Sequence, residues 1–205
     1  MVYDPRVALP KYVVHFGGGG GVPRAPAPVV GKKITIVDSK EKVSTDPNMF
    51  FFNEACTQFY KLCPDASKIT AVDYYGVIGG KLESVFQACQ GAFAQKNVDD
   101  SAIWIFHGTP THANIASIMT GGFKVGGQDG HPVANGVLYG QGVYSAIGPQ
   151  TPMGYGKATK AVILCKALPG AVGVQEVADS WNPNGDWRIF KTSQQVLPYY
   201  VLHFA

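Results

Sequence analysis

His107, His112 and His131 lie close enough along the chain to be imagined around one metal ion. No carboxylate or cysteine pattern completes such a set. Cys56, Cys63, Cys89 and Cys165 are scattered without a Cys-x-x-Cys pair, so neither a zinc site nor a dense disulfide framework is expected. The cysteines read instead as buried thiols of a reducing compartment. A sharper signal is His107-Gly108-Thr109, which follows directly on the apolar run Ile103-Trp104-Ile105-Phe106. A lone histidine after a buried strand is usually a satisfied structural group. Beside a glycine it gains a second reading, because a residue with no side chain lets a ligand come close to the main chain. Tyr144 stands in a glycine-rich string, Tyr139-Gly140-Gln141-Gly142-Val143-Tyr144-Ser145-Ala146, whereas Tyr74, Tyr75 and Tyr139 read as packing.

The elements that would hold these residues alternate along the chain. Strands are expected over 34–37, 69–75, 103–106, 161–165, 189–191 and 200–204, with 142–145 beginning a turn or strand. Phe51, Ala55, Phe59 and Leu62 mark one face of a helix over 47–62, with Pro47 near its start. Leu82, Val85, Phe86, Cys89 and Phe93 form the stripe of a second helix over 81–95. A short third helix over 113–120 is closed by Gly121-Gly122, and the glycine-rich stretch 125–137 reads as a loop. Short strands with helices between them and a strand-rich C-terminal half indicate an α+β domain.

That domain is expected over 32–205. Residues 17–21 are an unbroken glycine run followed by alternating prolines, a linker over 17–31 with no core to offer. The head, 1–16, carries Leu9-Pro10-Lys11-Tyr12-Val13-Val14-His15-Phe16, which matches Leu197-Pro198-Tyr199-Tyr200-Val201-Leu202-His203-Phe204 near the other end. Both copies place a proline at the start of a short strand. The head reads as the last strand of a preceding similar domain in a tandem protein; a chance edge strand is the other explanation. A net charge of +3 gives no polyanion-binding face, and 46% hydrophobic against 15% charged residues describes an ordinary core. Asp4, Arg6 and Lys11 interrupt every early apolar run, and no stretch of about 20 apolar residues occurs. The expectation is a soluble intracellular protein, cytoplasmic or nuclear, with no membrane partner.

Read in order, the C-terminal half resembles the catalytic domain of poly(ADP-ribose) polymerases and their mono-ADP-ribosylating relatives. Four strings carry the likeness: His107-Gly108-Thr109 with Asn114-Ile115 and Gly122-Phe123 behind it; the Tyr139 to Ala146 string, with Tyr155 eleven positions past Tyr144; Val162-Ile163-Leu164-Cys165 leading to Leu168-Pro169-Gly170; and Gln195-Val196-Leu197-Pro198-Tyr199-Tyr200-Val201. The resemblance implies a fold of split antiparallel sheets with flanking helices, and NAD as substrate with no metal. It implies that Tyr144 and Tyr155 flank the nicotinamide ring, that the Gly108 backbone holds the carboxamide with Thr109 nearby, and that His107 anchors the adenosine ribose. A flat leaving group needs a flat slot, and its amide needs fixed partners.

Two departures narrow the expectation. Chain-building members carry a glutamate where this sequence has Trp187, and no glutamate lies between Asp186 and the C-terminus. A His107, Tyr144, Trp187 set resembles the mono-transferring members. Asp186 is one position off, and one residue along a strand is the opposite face, so it serves only if the strand bulges or slips. The hydroxyl that helps hold the nicotinamide amide is expected three residues before Tyr155, where Pro152 stands, with Thr151 as its substitute. The implied activity is mono-ADP-ribosyl transfer to a protein acceptor, with a nucleic-acid end as the other acceptor class. The alternatives are a degenerate NAD-binding or interaction module, and an NAD hydrolase. The polar stretch 170–186 is the expected place for acceptor recognition.

Overall fold

A computed structural model describes residues 30–37, 49–63, 68–128, 130, 138–175 and 177–205. The head, nearly all of the linker, Pro47 and His131 lie outside them. The described chain is α+β: an eight-stranded antiparallel sheet with four helices. The strands are β1 (Ile34–Val37), β2 (Ile69–Tyr74), β3 (Ile103–His107), β4 (Val143–Ala146), β5 (Ala161–Ala167), β6 (Ser180–Trp181), β7 (Trp187–Phe190) and β8 (Val196–Phe204). The helices are α1 (Met49–Leu62), α2 (Lys81–Gln95), α3 (His112–Gly121) and α4 (Gln150–Tyr155). Sheet order is β1-β2-β8-β5-β3-β4-β7-β6.

Central strands β8 and β5 are apolar on both faces, so both faces must be covered. On one face, Phe51, Ala55 and Phe59 of α1 and Phe86, Cys89 and Phe93 of α2 pack with Val72, Tyr74, Phe106, Leu164, Tyr200 and Leu202. On the other, Ile115 and Met119 of α3 pack with Ile105, Ile163, Cys165, Val201 and Phe190. Thr111 caps α3 by accepting from the Asn114 amide at 3.1 Å. Val85 and Leu62, expected on buried stripes, stand at the helix rims and are exposed.

Pro198 is not at a strand start. It is the third residue of β8, opposite Cys165, while Tyr200 lies opposite Leu164, so the extra residue Tyr199 makes a bulge there. A bulge breaks the ladder locally, which is how a proline is accommodated inside a central strand.

Split antiparallel sheets are the expectation, whereas the described strands form one continuous sheet. All eight strands are linked, but β3 and β4 share one paired position, Phe106↔Ala146. No other position pairs these two strands among the described residues. Five strands on one side and β4-β7-β6 on the other meet at this seam.

Candidate functional site

At the seam, a side chain takes over from the ladder. His107, the last residue of β3, donates from Nδ1 to the Tyr144 carbonyl of β4 at 2.8 Å. A carbonyl only accepts, so the hydrogen sits on Nδ1 and Nε2 keeps its lone pair. Burial pushes the imidazole below its ordinary value, and the bond to the Tyr144 carbonyl only partly opposes this. His107 is therefore held neutral, with Nε2 as an acceptor. Its ring stands edge-on to Phe123, centroids 5.0 Å apart.

Gly108 follows the last ladder pair of β3, His107↔Ile163. A Cβ placed on it would lie 1.9 Å from the Pro152 carbonyl oxygen. The glycine is thus required by α4 itself, whose main chain presses against the end of β3. Pro152, which breaks the expected hydroxyl pattern, is buried at this contact. It sits in the first turn of α4, where a missing N–H costs no helical hydrogen bond. Thr109 is buried, accepting from the Asn114 side-chain amide at 3.0 Å, and its carbonyl lies 3.3 Å from the Thr159 hydroxyl. Thr109 thus ties the loop after β3 to α3 and to the turn after α4.

Tyr144 is fixed at both ends. Its hydroxyl donates to the Gly140 carbonyl at 2.8 Å and accepts from the Tyr139 amide at 3.2 Å. Gly140 holds φ +92°, a left-handed conformation that closes this turn. Burial raises the Tyr144 phenol above its ordinary value. Register places Ala146 opposite Trp187 and Tyr144 opposite Ile189, so Tyr144 and Trp187 are diagonal neighbours on one sheet face. Small Ala146 leaves the indole room to reach across.

Trp187 is the hub of an aromatic cluster. Its ring meets Tyr144 at 6.2 Å and 80°, Tyr155 at 6.4 Å and 73°, and Tyr139 at 5.8 Å and 82°. Both Tyr144 and Tyr155 therefore stand nearly at right angles to one indole. Tyr155 is 53% exposed, which leaves its ring accessible. Thr151, one turn earlier on α4, has its hydroxyl 3.5 Å from Asp186 Oδ1.

The structure thus gathers Tyr144, Tyr155 and Trp187, with Thr151, on the same helix as Tyr155, beside Asp186. His107 joins them through the main chain of Tyr144; pairing of Phe106 with Ala146 puts its ring on the sheet face opposite the tyrosine. Sequence reasoning missed two members. Tyr139, read as packing, touches Trp187, and its carbonyl accepts from Trp181 Nε1 at 2.7 Å. Its place at the head of the Gly140-Gln141-Gly142 turn was the available signal. Helix α4 was missed altogether, because Pro152 and Gly154 conceal it. In the stretch 170–186, Asp179 is committed to the fold: its carboxylate accepts from the Ala171 amide at 2.9 Å and its carbonyl from the Gln195 side chain at 3.0 Å.

No described helix is long and apolar enough to cross a membrane. Compared with models of protein families and with curated proteins, the sequence matches none.

Proposed function

We propose that the seam between β3 and β4 is an NAD site of the poly(ADP-ribose) polymerase type, and that the chain is a mono-ADP-ribosyltransferase of that fold. The observation that carries this reading is the convergence of Tyr144 and Tyr155 on Trp187, with His107 locked to the Tyr144 main chain. Tyr144, its hydroxyl tied to Gly140, offers a rigid wall for a flat leaving group, and the accessible Tyr155 the opposing one. Nε2 of neutral His107 accepts from a ribose hydroxyl. Thr151 stands in for the missing hydroxyl, its oxygen accepting from the carboxamide N–H. Holding the nicotinamide in a fixed slot favours its departure and leaves an oxocarbenium-like ribose open to a nucleophile. Trp187 in place of a glutamate argues against chain elongation.

One observation favours a second reading, the degenerate module. The indole reaches all three tyrosines, and a ring that fills its own slot would bind nothing. Incubating the purified chain with labelled NAD separates the readings. Free nicotinamide together with single-unit labelling of protein, both lost in Tyr144→Ala and His107→Ala, is the expected result. Nicotinamide without labelling indicates hydrolysis. Neither signal, with no NAD-dependent rise in melting temperature, leaves the module.

A further inference from the structure

One face of α4 addresses two neighbours. Thr151 and Tyr155, one turn apart, share that face. The Tyr155 ring meets Trp187, and the Thr151 hydroxyl points to Asp186 Oδ1 at 3.5 Å. Alternation along an unbroken strand would turn Asp186 away from Trp187. But β7 begins at Trp187. Asp186 sits in the turn ahead of it, where the Trp187 amide folds back onto the Asn184 carbonyl at 3.0 Å. The Asp186 carbonyl accepts from the Ile147 amide at 2.8 Å, so its main chain is fixed while its carboxylate reaches α4. Gly148 lies against the second oxygen: a Cβ there would be 3.2 Å from Oδ2 and 2.6 Å from Gln150 Oε1.

We propose that Asp186 is the catalytic carboxylate of this site, set one residue from the position that Trp187 occupies, and that the acceptor it serves is a neutral hydroxyl. This rests on the NAD reading above. A hydroxyl needs a base to attack, whereas an anionic acceptor does not. The acceptor O–H proton passes to an Asp186 oxygen as the hydroxyl oxygen bonds to C1′ of the nicotinamide ribose. The C1′–N bond breaks, its electron pair returning to the pyridinium nitrogen, and the proton then leaves Asp186 for water. Thr151 is a positioning residue: it donates to Asp186 while its lone pairs remain free for the carboxamide.

The test uses the full chain with water as the hydroxyl, following nicotinamide release and NAD binding separately. Asp186→Asn is expected to lower kcat by about 100-fold or more with NAD affinity unchanged, and Asp186→Glu to recover part of it. Azide, an anionic nucleophile that needs no base, is expected to restore release in Asp186→Asn and to add little to the wild type. Turnover of Asp186→Asn at the wild-type kcat, or loss of NAD binding together with turnover, overturns the role of Asp186 and leaves the NAD pocket standing. Wild-type protein that binds NAD but releases no nicotinamide, even with azide, does the same. Wild-type protein that binds no NAD removes both readings.

Discussion

His107 has two ring nitrogens, and the fold uses one of them. Nδ1 joins β3 to β4 beside their single ladder pair, so the structural reading of this histidine and the ligand reading hold for different atoms. The two separate in a variant. Asparagine reproduces the Nδ1 donor and lacks Nε2, so His107→Asn keeps most of the stability and loses NAD affinity. His107→Ala loses both, the hydrogen bond contributing about 1 kcal/mol. The pH dependence has a definite sign. The imidazole is pushed below its ordinary value in the folded state, so the unfolded chain takes up its proton first as pH falls. The contribution of His107 is complete above about pH 6.5, declines below it, and levels off once the folded state is protonated as well. Urea titrations at several pH values should show this slope in the wild type and not in His107→Asn. At this scale the sequence was informative about residue identity and silent about partners. The apolar run before His107 announced a buried strand end, but not that the ladder to β4 there is a single pair.

Helix α4 decides the geometry of the candidate site, and it rests on the main-chain contact between Gly108 and Pro152. Because a Cβ at residue 108 would sit 1.9 Å from the Pro152 oxygen, Gly108→Ala must push α4 outward, taking Thr151 and Tyr155 with it. The expected cost is about 1–3 kcal/mol of overpacking, together with loss of NAD binding. Thermal melts and NAD titration of this variant check both. A variant that melts as the wild type does would show that α4 yields freely. The helix was illegible because Pro152 and Gly154 are breakers by propensity, and six residues are too few for a hydrophobic period to show. The longer elements were legible for the opposite reason: α2 has an apolar stripe over its full length, and β5 is a continuous apolar run.

Across the whole molecule, the sheet is anchored at its far edge by Asp73. This buried carboxylate lies 2.8 Å from Lys33, 3.0 Å from His203 and 2.6 Å from the Thr35 hydroxyl, joining β2, β8 and β1. Burial alone would raise its pKa, but the hydrogen bonds from His203, Lys33 and Thr35 prevail and hold it at about 2. A carboxyl depressed from 3.8 contributes stability that is complete above that value and is lost as pH falls through about 2. The shift corresponds to about 2 kcal/mol. Asp73→Asn should be less stable than the wild type at neutral pH, and the gap should close between about pH 4 and pH 2. An unchanged gap in acid would place the contribution in packing instead. Fold class and strand order differ in how they reach the sequence. The first follows from local periodicity, whereas the pairing of β8 between β2 and β5 joins segments far apart in the chain, which no local pattern encodes.

The central claim, an NAD pocket whose hub is Trp187, is tested most directly by titrating the protein with NAD while following tryptophan fluorescence. Trp187 is one of three tryptophans, and among the described residues it is the one whose ring meets both Tyr144 and Tyr155. The account predicts a saturable change that is abolished in Tyr144→Ala and in Trp187→Phe. A signal that stays flat in the wild type, or one that survives in Trp187→Phe with equal amplitude, would contradict it.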